Sequence, residues 1–393
     1  METLPVEILS KIFSYLEVRE FLKISEVSKK FNSIINCNKF MTRFCVNLTD
    51  VDDFEGSTRH YKVGKIQNAT DTILYRSIHK FGLSCYSSSL THLTIDDVEL
   101  TDAKLLHRFI KNFPALQTLR FEGIYLKNPT TSSIESLIMP NLKSLSFIYN
   151  SNDLLHLFND VHDTLQVLKI CLIPFETEQV KMKNYYLVHE ILQNNRTTLH
   201  KLNTYDVNFD EDFLQLISKI HFQRLTQCSL SFISYLPVES LGFKNFIKQN
   251  SSTLEKFKIR TFNHLNQQHL KILVEDGVNI KNLNLIICSN CVYDQFTGFR
   301  SLDKLEKLKI CPSNEGGSTF ENFIKTKILC HRHKKMKHLN LGMINVTGEI
   351  INKIIFSFPN LESLRLSSSS DIESGLVKLL TDKLSKLQRL VIS

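Results

Sequence analysis

The chain has 393 residues, 42% of them hydrophobic and 22% charged, with a formal charge of +8 at pH 7. That balance is globular rather than disordered, and no apolar run reaches the roughly 18 residues of a membrane span. Nine cysteines, an odd number without the spacing of a disulfide framework, and an N-terminus without a signal-peptide pattern lead us to expect reduced thiols in a protein of the cytoplasm or nucleus.

The first 36 residues are dense in apolar side chains. Leu4, Ile8, Leu9, Ile12, Phe13, Tyr15 and Leu16 recur at three- and four-residue steps, the stripe of one helix. Thr3 is placed to cap it, Pro5 suits a first turn, and Glu7 adds negative charge at the positive helix end. Two shorter helices are expected near 19–25 and 27–36. A module below about 40 residues rarely stabilises itself, so its apolar excess must be covered by the rest of the chain or by another protein.

These residues resemble the F-box. Leu4-Pro5-Val6-Glu7-Ile8-Leu9, Ile12-Phe13-Ser14-Tyr15-Leu16, Glu20-Phe21-Leu22 and Val27-Ser28-Lys29-Lys30-Phe31-Asn32-Ser33-Ile34 follow its pattern, with Phe31 where Trp is frequent and Ser28 where Cys is frequent. The resemblance implies docking on a Skp-family adaptor and, through it, a cullin–RING ubiquitin ligase. The adaptor-binding residues it implies are Leu4, Pro5, Ile8, Leu9, Ile12, Phe13 and Leu16, with Val27, Phe31 and Ile34 completing the surface or its support.

Residues 37–75 read as a junction, with strands at 44–48 and 61–66 and a turn-rich acidic stretch at 51–58. A repeat then takes over. Leu-x-x-Leu-x-Ile/Leu/Phe recurs from Leu90, Leu116, Leu142, Leu165, Leu199, Leu225, Leu254, Ile280, Leu305, Met336, Leu361 and Leu387, at intervals of 23 to 34 residues. Tyr61-x-x-Gly64-x-Ile66 is a degenerate copy suited to capping. Each copy ends in strand-like alternation, and helical patterns intervene at 103–113, 153–161, 184–195, 211–220, 266–276 and 348–358. Thr101-Asp102 and Asn208-Phe209-Asp210 read as helix starts; Phe113-Pro114 and Phe358-Pro359 read as helix ends. The longer intervals, at 171–198 and 311–335, predict excursions, and the only Gly-Gly pair predicts a loop at 312–319.

One strand and one helix per repeat make an α/β leucine-rich repeat solenoid, a horseshoe with parallel strands on the concave face and helices outside. The register is similar to that of the leucine-rich repeats of F-box proteins. The expected organisation is an all-helical F-box at 1–40, a junction and capping region at 41–75, and about twelve repeats at 76–393.

The third, fifth and seventh positions of each repeat should face solvent on the concave side. They carry Arg120, Lys169, Lys201, Lys256, Lys258, Arg260, Lys307, Lys309, Arg365 and Arg389, against only Asp96 and Glu122, with His92 and His338 among them. Lys256, Lys258 and Arg260 on one strand, with Lys307 and Lys309 two strands on, are the densest patch, and Tyr205 and Tyr149 add aromatic surface. Such a face suits an acidic or phosphorylated segment of a target protein, though polar residues must occupy a solvated strand face in any case. The absence of a basic tail or aromatic interleaving argues against nucleic acid.

No cofactor motif occurs: there is no phosphate loop, no nucleophile elbow and no His-Glu-x-x-His. Cys288-x-x-Cys291 and Cys330-x-x-His333 have zinc-like spacing, but the pairs are 39 residues apart and read as incidental. The expected function is that of a non-catalytic substrate-recognition subunit of an SCF-type ligase in the ubiquitin–proteasome pathway, without cofactor, metal or membrane. The alternative is a ligase-independent protein-binding scaffold.

Overall fold

A computed structural model gives the fold. It describes residues 4–16, 23–24, 27–36, 38–41, 45–48, 62–81, 88–127, 135–175, 177–205, 210–232, 237, 239–261, 265, 267–287, 296, 298–299, 302–312, 318–368 and 374–392. The chain divides into two compact units, Met1–Ile173 and Pro174–Ser393.

The first unit opens with helices α1 (Val6–Phe13) and α2 (Lys29–Ile35) and the one-turn helix Asn38–Met41. Pro5 occupies the N-cap position of α1 without a side-chain cap, while Ser28 caps α2 by accepting from the Phe31 N–H at 3.1 Å. Thr3 lies outside the described residues. Six strands follow: β1 (Cys45–Asn47), β2 (Val63–Gln67), β3 (His92–Leu100), β4 (Thr118–Leu126), β5 (Ser144–Asn150) and β6 (Val167–Leu172). Each pairs in parallel with the next. The first, fourth and sixth positions of the repeat are buried, as at Leu90, Leu93 and Ile95, and again at Leu116, Leu119 and Phe121. They stack into one continuous core, which no single repeat could enclose.

The second unit holds β7 (Lys201–Thr204), β8 (Gln227–Phe232), β9 (Lys256–Thr261), β10 (Asn282–Ile287), β11 (Lys307–Pro312), β12 (His338–Ile344), β13 (Ser363–Ser368) and β14 (Arg389–Ile392). These too pair in parallel, in sequence order. The repeat starts Leu90 to Leu387 therefore each lead into one strand of β3–β14, and β2 takes the place of the degenerate copy.

Most helical expectations hold: Ala103–Lys111, Glu211–Ile217, Gln267–Asp276 and Gly348–Ser357 are helices. Asp102 caps the first of these through the Lys104 N–H (2.8 Å), and Asp210 caps the second through the Asp212 and Phe213 N–H groups (3.1 and 3.3 Å). Phe358 ends the last of them before Pro359 at φ −130°, ψ 63°.

Three stretches differ. Asn152–Phe158 is a 3-10 helix, fitting the shortest interval, because this helix rises more per residue than an α-helix. The first excursion lengthens its helix to Glu178–Asn194, and the second contains the helix Ser318–Phe323 running into a π-turn at Ile324–Ile328. The Gly-Gly pair lies outside the described residues. Helices Asp71–Phe81, Leu241–Gln249 and Ser374–Lys383 were not anticipated.

A recurrent bulge was not anticipated either. The eighth residue of four repeats has positive φ: Asp97 (51°), Gly123 (64°), Tyr149 (53°) and Met343 (51°). One left-handed residue shifts the alternation by one, so Val98, Ile124, Asn150 and Ile344 return to the interior.

Candidate functional site

Two surfaces carry the sequence-predicted residues. The first lies on α1. Leu9 and Phe13 are buried, as are Phe31 and Ile34 of α2, and Phe13 contacts both Phe31 and Phe40. These side chains form the small core of the helical module. The remaining positions stay open: Ile8 is 47% exposed, Ile12 39%, Tyr15 80% and Val27 70%. Pro5 is exposed, and Leu4 and Leu16 are half-buried at the margins. Pro5, Ile8, Ile12 and Tyr15 fall at steps of three and four, so they form one apolar stripe beside the buried Leu9–Phe13 stripe. Lys30 fixes the start of α1 by donating to the Leu4 carbonyl at 2.8 Å.

The second surface is the strand face opposite the helices, where the third and fifth positions of neighbouring repeats line up in rows. In the first unit the fifth-position row runs Lys65, Thr94, Arg120, Ser146, Lys169. Its cations are largely answered in place: Lys65 pairs with Asp96 at 3.1 Å and Arg120 with Glu122 on its own strand. Lys127 pairs with Glu99 at 3.0 Å. Lys169 is half-buried at the end of this row, and His92 sits in the third-position row, its imidazole pKa lowered by partial burial.

In the second unit the rows carry cations and almost no acid. The third-position row is Lys201, Gln227, Lys256, Asn282, Lys307, His338, Ser363, Arg389. The fifth-position row is Asn203, Ser229, Lys258, Asn284, Lys309, Asn340, Arg365, Val391. Lys201, Lys258 and Lys309 are half-buried; Lys256, Lys307, Arg365 and Arg389 are exposed. None of these seven forms an ion pair among the described residues. The nearby acids are engaged one position earlier: Glu255 holds Lys281 at 2.7 Å and Glu306 holds Lys337 at 3.6 Å.

Partial burial, then the neighbouring cations Arg260 and Lys309, hold the Lys258 ammonium below the usual lysine range. Desolvation is the larger cause, and the like charges of Arg260 and Lys309 add to it. Arg260, on β9 at the seventh position of its repeat, has its Nε buried without a hydrogen-bond partner among the described residues, and Asn284 on β10 has its Oδ1 buried likewise. Two shallow depressions mark this face. One, of about 270 Å³, runs from Lys201 and Tyr205 to Lys258 and Asn284; the other, of about 490 Å³, runs from Lys307 and His338 to Arg365 and Arg389. Tyr149 projects from β5 of the first unit, 42% exposed.

The residue types on this face are legible in the sequence, but which cations are neutralised is not, because that depends on the register between strands. Among the described residues no group of three or more His, Cys, Asp and Glu converges to hold a metal ion, and no helix is long and apolar enough to cross a membrane. Cys288 and Cys291 lie outside the described residues.

Residues 1–47 match the F-box-like family model. No curated protein matches the chain in sequence. Among solved structures, the leucine-rich repeat-containing protein LegL7 from Legionella pneumophila aligns at 14% identity and a TM-score of 0.40, over 78% of this chain and 93% of its own. The Rad7 and Elc1 complex in yeast contributes a chain that aligns at 14% identity and a TM-score of 0.39, over 94% of this chain and 90% of its own.

Proposed function

We propose that this chain, an F-box-like segment followed by leucine-rich repeats, is the substrate-recognition subunit of an SCF-type cullin–RING ubiquitin ligase. The observation that carries the reading is the F-box-like match at 1–47 together with the open apolar stripe Pro5, Ile8, Ile12 and Tyr15. A Skp-type adaptor covers that stripe and Val27, while Leu9, Phe13, Phe31 and Ile34 hold the helices in shape. Apolar side chains left exposed in one row are what an obligate docking surface requires.

The strand face of β7–β14 holds the target protein, through an acidic or phosphorylated segment, by charge-assisted hydrogen bonds from lysine and arginine. The chain itself performs no chemistry in this scheme. It raises the effective concentration of a target lysine beside a ubiquitin-charged enzyme supplied by the complex.

Co-purification with a Skp-type adaptor tests the reading. The chain captures the adaptor, and Ile8→Asp/Ile12→Asp reduces capture at least tenfold while the repeats stay folded. Failure of the unmodified chain to capture any Skp-type adaptor would leave a ligase-independent scaffold in its place.

A further inference from the structure

The cations of the second unit are not spread evenly over its strands. β7 carries Lys201, β9 carries Lys256 and Lys258, β11 carries Lys307 and Lys309, and β13 carries Arg365. The intervening strands present neutral hydrogen-bonding groups in the same rows: Gln227 and Ser229 on β8, Asn282 and Asn284 on β10, His338 and Asn340 on β12. Arg389 on β14 is the exception at the end of the series. Neighbouring strands lie about 4.8 Å apart, so the positive charge repeats about every 9.6 Å across the sheet.

That interval selects a ligand geometry. A polyproline II segment has three residues per turn and rises about 3.1 Å per residue, so every third side chain returns to one face after about 9.3 Å. An extended β-strand returns a side chain to the same face after about 6.7 Å, matching neither one strand spacing nor two. An α-helix returns one after seven residues, about 10.5 Å, and drifts by about 1 Å at each step. A nucleic acid strand places a charge about every 3.4 Å, far more densely than these rows.

The neutral strands fit the same ligand. A polyproline II backbone makes no internal hydrogen bonds, so its carbonyls and any N–H groups are free to pair with side-chain amides. Asn284 supplies a buried Oδ1 that has no donor among the described residues.

We infer that the strand face of β7–β13 is built for an acidic peptide in polyproline II conformation, lying across the strands with an acidic or phosphorylated side chain at every third residue. Four such residues meet β7, β9, β11 and β13 in turn, and the peptide backbone between them lies over Gln227, Asn284 and Asn340. This rests on the reading of that face as the target-binding surface and specifies the spacing that the surface accepts.

Two fluorescent peptides of equal composition test it by anisotropy with the full chain at low salt: four Glu-Pro-Pro triplets, and four glutamates followed by eight prolines. The expected result is at least tenfold tighter binding of the triplet peptide, lost in Lys258→Glu/Lys309→Glu and in the milder Lys258→Gln/Lys309→Gln, and kept in Arg120→Gln. Equal binding of both peptides, with the same sensitivity to Lys258 and Lys309, would overturn the spacing and leave the acidic-ligand reading standing. Binding of neither peptide would overturn both. Tighter binding of an oligothymidylate than of either peptide would overturn both in favour of nucleic acid.

Discussion

Phe13 meets Phe31 edge to face, with ring centroids 5.5 Å apart and planes at 86°. This contact ties α1 to α2 and decides which side of α1 is left open. Phe31→Ala removes a buried ring from a small core and should cost about 3–5 kcal/mol of local stability. Adaptor capture should be lost with it, together with helical circular dichroism from the N-terminal segment. Ile12→Asp should lose capture while leaving the melting profile unchanged. If both variants lose structure alike, the exposed stripe is not separable from the support beneath it.

Asn150 closes the bulge at the end of β5. Its Oδ1 accepts from the Ile124 N–H at 2.9 Å and its Nδ2 donates to the Phe121 carbonyl at 3.1 Å, all of it buried. Asn150→Leu keeps the volume but strands two backbone groups without water, at a cost of about 1–3 kcal/mol. The urea midpoint should fall accordingly, and a Leu variant as stable as the parent would show that the bulge is held by packing alone.

Gly242 lets the helix Leu241–Gln249 sit directly on the helix Glu211–Ile217. A Cβ there would lie 2.6 Å from the Gln215 nitrogen and 2.8 Å from the Leu214 carbonyl carbon, both backbone atoms that cannot swing away. Its own N–H donates to Glu211 Oε1 at 2.8 Å, so the approach is fixed from both sides. Gly242→Ala should destabilise by about 1–3 kcal/mol despite improved helix propensity. Differential scanning calorimetry would read this as a lowered transition.

His269 is fully buried and packs edge-on against Phe243 at 5.5 Å. Burial pushes its imidazole pKa down to about 4. The folded state thus binds a proton less readily than the unfolded chain, in which histidine titrates near 6.5. Its contribution to stability is complete above pH 6.5 and is lost as pH falls toward 4, amounting to about 1–2 kcal/mol by pH 5. His189 and His333, likewise lowered by burial, add in the same direction. His269→Phe should flatten the fall in urea stability between pH 6.5 and pH 5; an unchanged slope would mean that other groups set it.

The strands were legible because the repeat places three apolar residues at fixed offsets, and each offset has one structural meaning, as Leu305, Leu308 and Ile310 illustrate. Helices were less so. Leu241–Gln249 carries Gly242 in its first turn, with Phe243, Asn245 and Phe246 after it, so its intrinsic propensity is poor and packing holds it in place. The 3-10 turn Asn152–Phe158 shows the same apolar clustering as an α-helix, and only the short interval to Leu165 distinguishes it. The bulges at Asp97, Tyr149 and Met343 carry no common residue type. On the strand face, basic content could be read directly. The neutralisation of Lys65 by Asp96 could not, because it joins residues 31 positions apart across a strand pair. The division of the N-terminal apolar residues into Leu9 and Phe13 inside and Ile8 and Ile12 outside likewise needed the partner helix.

The alternation of charged and neutral strands gives the array a parity. Removing the single repeat that contains β10 would set Lys258 beside Lys309 at about 4.8 Å, turning a spaced series into a like-charge contact. Removing two consecutive repeats would shorten the series and keep its phase. Repeat number in this unit is therefore constrained by oddness and evenness as well as by length. A chain that gained or lost repeats in pairs would keep a continuous charge pattern, whereas one that changed by a single repeat would carry two series out of step.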